Sequence, residues 1–164
     1  MPTIGHAIFP FLTFRRQKME LFGWGILIFF SLLPDIDVII GFLATGNLFG
    51  FHRMLTHSFL FILFFAAIYV FIKRIEVVLA FIGVSGHIFL DSLDTHGVPF
   101  LWPFSQKFYG LGLWSSSDLR NLNPEGLLNP ANFVPDKILL ALLILWLIYY
   151  FGSRWYNDSF KRRR

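Results

Sequence analysis

The hydrophobic positions of this chain come in dense blocks, and most of the ionisable residues gather in short clusters, or seams, between them or toward their ends. Four blocks, Met19 to Leu33, Phe59 to Ile72, Ile75 to Leu93 and Ile138 to Gly152, predict helices immersed in lipid. Several fall short of the ~20 residues that cross a bilayer unaided. Two weaker blocks, Ile4 to Phe14 and Val38 to Phe51, are too short or too rich in glycine to cross alone and read as half-helices or re-entrant segments packed against protein. From Gly97 to Asp136 the pattern breaks. Pro99, Pro103, Pro124, Pro130, Pro135 and the run Ser115-Ser116-Ser117-Asp118 predict a long loop, with short amphipathic segments at the interface beside Trp102 and Trp114. The expected architecture is an all-α polytopic membrane bundle forming one domain over residues 1–164. Its four blocks would supply the spanning helices, joined by half-helices and an interfacial loop.

Composition removes the soluble alternative. At 164 residues, 55% hydrophobic and 20% aromatic, the chain has more apolar surface than a soluble core of this size hides. The net charge of +4 would suggest nucleic acid in a soluble protein. Here the basic residues gather at Arg15-Arg16-Gln17-Lys18, Lys73-Arg74 and Lys161-Arg162-Arg163-Arg164, beside apolar blocks, and read as topology signals. Placing all three in the cytoplasm makes four spans alternate correctly and leaves residues 153–164 as a basic cytoplasmic tail. The block after Arg15 ends in Pro34-Asp35-Ile36-Asp37 with no small-residue cleavage site, so it is expected to remain as a membrane helix.

The seams carry the chemistry. They are Gly5-His6, Pro34-Asp35-Ile36-Asp37, His52 to Ser58, and Gly86-His87 through Asp91 to Asp94 and His96. An ionisable group among lipid-facing helices costs several kcal/mol, of order ~3, unless it is paired or binds a metal. His87 and Asp91, spaced i, i+4, share a helix face and bring their heads within reach of one ion. Taken singly, each residue also has an ordinary reading: a hydrogen-bonded His–Asp pair, a helix stop or N-cap at Asp35 and Asp37, a cap of the helix beginning near Phe59 by Thr56 or Ser58. On the predicted topology, however, most of these seams gather toward the extracytoplasmic face. His57 would lie ~24 Å from Lys73, and His87 ~17 Å from Glu76. His6, ~13 Å from Arg15 as helix, fits only if the site is sunk toward the mid-plane or the amino-terminal helix tilts up to it. With no cysteine, any metal must be held by imidazole and carboxylate, a set that suits zinc, manganese or iron. More than four candidate ligands permit one or two divalent ions, and Arg53 could clamp a phosphate oxygen.

Leu33-Pro34-Asp35-Ile36-Asp37, His52-Arg53-Met54-Leu55-Thr56-His57-Ser58, Gly86-His87-Ile88-Phe89-Leu90-Asp91 and Gly97-Val98-Pro99-Phe100-Leu101-Trp102-Pro103, with Gly5-His6 before them, resemble the signature of the YdjM-type inner-membrane proteins. That family is described as membrane-bound metal-dependent hydrolases, distantly similar to zinc-dependent phospholipase C and the S1/P1 nucleases. The resemblance covers about the first two thirds of the chain. It implies His6, Asp35 or Asp37, His57, His87 and Asp91 as metal ligands, with His52 and Arg53 near the site; Asp91, expected to bridge or anchor the metals, Arg53 and His52 are the expected catalytic residues. Where many relatives have threonine-proline after the aspartate, this chain has Asp94-Thr95-His96, which adds Asp94 and His96 as further ligands or supporting partners.

The expectation is an inner-membrane hydrolase whose site opens on the extracytoplasmic side and cleaves a phospholipid or other lipid phosphoester by metal-activated water. Nucleic acid is not expected as a substrate, because the basic tail falls on the opposite face and the loop beside the site carries little positive charge. The competing classes are a non-enzymatic membrane metal-binding or ion-pathway protein, and a scaffold stapled by its metal.

Overall fold

The structure, a computed structural model, describes residues 3–14, 17–46, 52–113 and 134–161. Six α-helices dominate it: α1 (Thr3–Phe14), α2 (Leu21–Leu32), α3 (Ile36–Thr45), α4 (Phe59–Ile72), α5 (Ile75–Ser92) and α6 (Val134–Lys161). Short 3-10 turns, Leu33–Asp35 and Leu55–His57, precede α3 and α4. Among the described residues there is no strand, and Val98 forms an isolated antiparallel bridge with Tyr109.

Pro34 does not end the first apolar block. It sits in the first turn of the 3-10 segment, where its missing N–H costs least, and the chain continues directly into α3. Leu21–Thr45 is therefore one apolar segment of 25 residues, and with Ile75–Ser92 it makes two that are long and apolar enough to cross a membrane. The α4 helix has 14 residues, ~21 Å of rise against a ~30 Å hydrocarbon layer. The apolar part of α6, Lys137–Phe151, is likewise shorter than a full span. Val38 to Phe51, expected as a half-helix or re-entrant segment, is covered as far as Thr45 by α3, which continues from α2 and closes on Gly46 in the left-handed region, φ 71°, and residues 47–51 lie outside the described residues. Trp114, Ser115 to Asp118, Pro124, Pro130, Arg15-Arg16 and Arg162 to Arg164 lie outside the described residues.

The central contact is α2 against α5. Gly83 makes it close: a Cβ there would stand 2.8 Å from the Leu27 carbonyl oxygen and 2.9 Å from the Ser31 nitrogen. Phe65, Ala80, Val84, Ile88 and Val98 form the buried apolar core. On the other side α1 packs between this pair and α6, where Phe11 meets the Trp146 ring edge-on. The burial pattern is inverted relative to a soluble protein. Leu21 and Phe71 are 88% and 86% exposed, whereas His57, Asp91 and Asp94 are fully buried. Such a surface is stable in hydrocarbon, not in water.

Candidate metal centre

Four elements bring their polar seams to one point beside the α2–α5 contact. The close approach at Gly83 sets α5 one turn below His87, whose Nδ1–H donates to the Ser31 carbonyl at 2.7 Å. That carbonyl belongs to the last turn of α2, where helical acceptors are left over. His57 is held from behind in the same manner, its Nδ1 3.1 Å from Asp37 Oδ2. With both Nδ1 atoms so engaged, the two Nε2 atoms face each other at 3.1 Å. Facing lone pairs need a cation between them, either a proton or a metal.

Two carboxylates complete the figure. Asp91 Oδ2 is 3.3 Å from His57 Nε2 and 3.7 Å from His87 Nε2. Asp35 Oδ1 is 3.9 Å and 3.5 Å from the same two atoms. Zinc–ligand bonds of ~2.0–2.1 Å place tetrahedral ligand atoms ~3.3 Å apart. Five edges of the quartet His57, His87, Asp35 and Asp91 thus lie near the spacing a single four-coordinate ion requires. The donor set, imidazole and carboxylate without sulfur, fits zinc, manganese or iron.

His6 arrives from α1 and stacks flat on His87, ring centroids 3.7 Å apart. Its Nε2 is 3.3 Å from Asp91 Oδ1, the carboxylate oxygen turned away from the quartet. Both ring nitrogens of His6 are fully buried, and among the described residues Nδ1 has no hydrogen-bond partner, a costly arrangement without a further cation. Among the described residues three groups have metal-ligand spacing: Asp35, His57 and His87; His6, His87 and Asp91; and Asp37, His52 and His57.

Arg53 is buried with a left-handed backbone, φ 62°, a conformation that non-glycine residues adopt mainly where the surroundings enforce it. Its Nε stands 3.3 Å from Asp91 Oδ2, and its NH2 3.4 Å from Asp91 Oδ1 and 3.5 Å from Asp94 Oδ2. NH1 donates to the Gly97 carbonyl at 3.1 Å. The guanidinium expected to grip a phosphate is therefore turned onto Asp91 and Asp94. His96 bonds only to its neighbour Asp94, Nδ1 to Oδ1 at 3.2 Å, and belongs to none of the three ligand groups.

Asp35 is the positional N-cap of α3 but makes no side-chain cap hydrogen bond. Ser58 does cap α4, accepting from the Phe61 N–H. Thr56 is not a cap; its hydroxyl donates to Asp37 Oδ2 at 2.8 Å. Ser31 was invisible to motif reading because it contributes a backbone carbonyl. In the loop before α4, burial opposes charge on His57, but Asp37 and Asp91 beside it raise its imidazole to about 9. Burial pushes His52 below the usual imidazole range, an effect Asp37 only partly offsets.

Comparison with known proteins bears on this architecture directly. The family model of the YdjM inner membrane protein matches residues 1–160. The chain belongs to the YdjM inner membrane protein family. No curated protein and no solved structure matches it. The YdjM match takes in every residue of the buried cluster and extends beyond the motifs, through the residues after Gly110 and nearly all of α6. Membership of an inner-membrane family agrees with the inverted burial pattern: apolar outside, His and Asp within.

Proposed function

We propose that this YdjM family protein is a membrane-embedded metal-dependent hydrolase acting on the phosphoester of a lipid. The observation that carries the reading is the buried cluster in which Asp35, His57 and His87 stand at metal-ligand spacing with Asp91 beside them, inside an apolar bundle. In this reading α2–α3, α4, α5 and α6 are the four spans, and the basic clusters are cytoplasmic. The site then sits in the outer half of the membrane.

A divalent ion held there, zinc by preference, would lower the pKa of a bound water and polarise a phosphoryl oxygen. The chain's own residues do the rest. Asp91 presents Oδ2 to the quartet and Oδ1 to His6, so it anchors both ligand groups. Arg53, itself paired with Asp94, fixes its carboxylate plane. Four carboxylates, Asp35, Asp37, Asp91 and Asp94, lie in this cluster, and the Arg53 guanidinium pairs with Asp91 and Asp94. Without protons or metal they would repel one another in a low-dielectric interior. Asp35 and His52 keep 16% and 14% of their side chains exposed, so a headgroup would approach along their edge. A cleft of about 300 Å³ between α1, α2 and α5, walled by Phe9, Phe81 and Phe89, shares Ser31 with the centre and offers apolar room beside it.

The test is hydrolysis of a panel of lipid phosphoesters by purified protein, with and without chelator. Chelator-sensitive release of phosphate or headgroup supports the reading; no turnover of any lipid by metal-loaded protein removes it. A second reading is a structural staple, favoured by the burial of His57, His87 and Asp91, since closed four-ligand sites are usually structural. In that case chelation would unfold the bundle and no substrate would be turned over.

A further inference from the structure

Asp35 and Asp37 are equivalent in the sequence motif, but the fold gives them opposite sides of His57. Asp35 lies toward Nε2, the nitrogen that faces His87. Asp37 lies toward Nδ1, on the far edge of the ring. Both oxygens of Asp37 are met by donors: Oδ2 by the Arg53 N–H at 2.8 Å, the Thr56 hydroxyl at 2.8 Å and His57 Nδ1, and Oδ1 by His52 Nδ1 at 2.9 Å. A carboxylate so committed cannot also turn toward the quartet.

From these contacts we infer that Asp37 is the positioning residue of the metal centre and not a ligand, while Asp35 is the ligand of the pair. One carboxylate sets both halves of the site. Through His57 Nδ1 it fixes the tautomer and aims Nε2 inward, as carboxylates behind metal-bound imidazoles do. Through the Arg53 N–H it holds the left-handed backbone that turns the guanidinium onto Asp91. The α3 start makes this division possible, because residues two apart on a helix point ~200° apart.

The inference rests on the metal reading of the cluster, though not on hydrolysis. Its test is titration of detergent-purified, metal-depleted protein with cobalt(II), read by visible absorption, which reports coordination geometry independently of turnover. The parent should show the intense bands of a tetrahedral nitrogen/oxygen site. Asp37→Asn and the milder Thr56→Val should keep those bands and weaken cobalt affinity, for Asp37→Asn by ~10–100-fold. Asp35→Asn should change the bands themselves, since a ligand is lost. Size-exclusion and helical circular dichroism establish that each variant is folded. Loss of the tetrahedral bands in folded Asp37→Asn but not in Asp35→Asn would reverse the assignment. A parent that binds no cobalt would overturn the metal reading and this inference with it, an outcome distinct from the first.

Discussion

His57 Nε2 and His87 Nε2 stand 3.1 Å apart in the middle of the bundle, each imidazole pinned at its opposite nitrogen, one by Asp37 and the other by the Ser31 carbonyl. Two anchored rings directed at one another define a point in space, and Asp35 and Asp91 face the same point.

Removing either imidazole should empty the centre. His57→Ala and His87→Ala are expected to lower divalent-metal affinity by more than the ~10–100-fold typical of losing a supporting partner. Metal content by mass spectrometry after gel filtration in detergent measures this. His96→Ala, whose ring bonds to Asp94 outside the ligand groups, should retain parental metal; equal depletion in all three would contradict the assignment.

Asp91→Asn should abolish chelator-sensitive hydrolysis while the helices persist, because apolar packing against lipid carries most of the fold. Unfolding of Asp91→Asn together with an inactive parent would point to the staple instead. The readouts are turnover, helical signal and metal content, taken on one preparation.

Arg53→Ala should be severe for stability. It leaves Asp91 and Asp94 buried without their guanidinium, and breaking a buried ion pair costs ~3–5 kcal/mol. Arg53→Lys restores the charge but not the fork, and should fall between the parent and Arg53→Ala in thermal unfolding. Indifference of the unfolding temperature to both changes would show that the guanidinium is not the counter-charge of Asp91.

Gly83→Ala tests the link between packing and the site. Its Cβ would press on backbone atoms of Leu27, Phe30 and Ser31 at 2.8–3.0 Å, forcing α5 away from α2 at a cost of ~1–3 kcal/mol. Because Ser31 anchors His87, metal affinity should fall as well. Gly25→Ala meets nothing within 4 Å and should be neutral or gain up to ~1 kcal/mol from helix propensity.

Topology is checked by cysteine labelling in intact vesicles. Lys107→Cys and Arg74→Cys, both at exposed positions, should react from opposite sides of the membrane. Labelling from one side would refute the four-span arrangement.

By itself the sequence determined the class of solvent and the kind of chemistry. Apolar blocks that are hydrophobic all round have no stable place in water, and five histidines with no cysteine leave imidazole and carboxylate as the only strong ligands. The His87–Asp91 pairing was legible too, because helical periodicity alone puts i and i+4 together. The continuity of α2 into α3 was not. Pro34 reads as a stop in one dimension, and only packing shows that it sits where its missing N–H is harmless.

What tertiary structure decided is which atom of each residue faces which. His6 and His87 are eighty-one residues apart along the numbering and yet stack ring on ring, while His96, nine positions from His87, turns to Asp94. Asp35 and Asp37 fall on opposite edges of His57, and Arg53 turns inward onto Asp91. A sequence lists donors and acceptors without direction. An imidazole has two nitrogens and a carboxylate two oxygens, and only the packing of α1, α2 and α5 around the Gly83 contact selects the ones that meet.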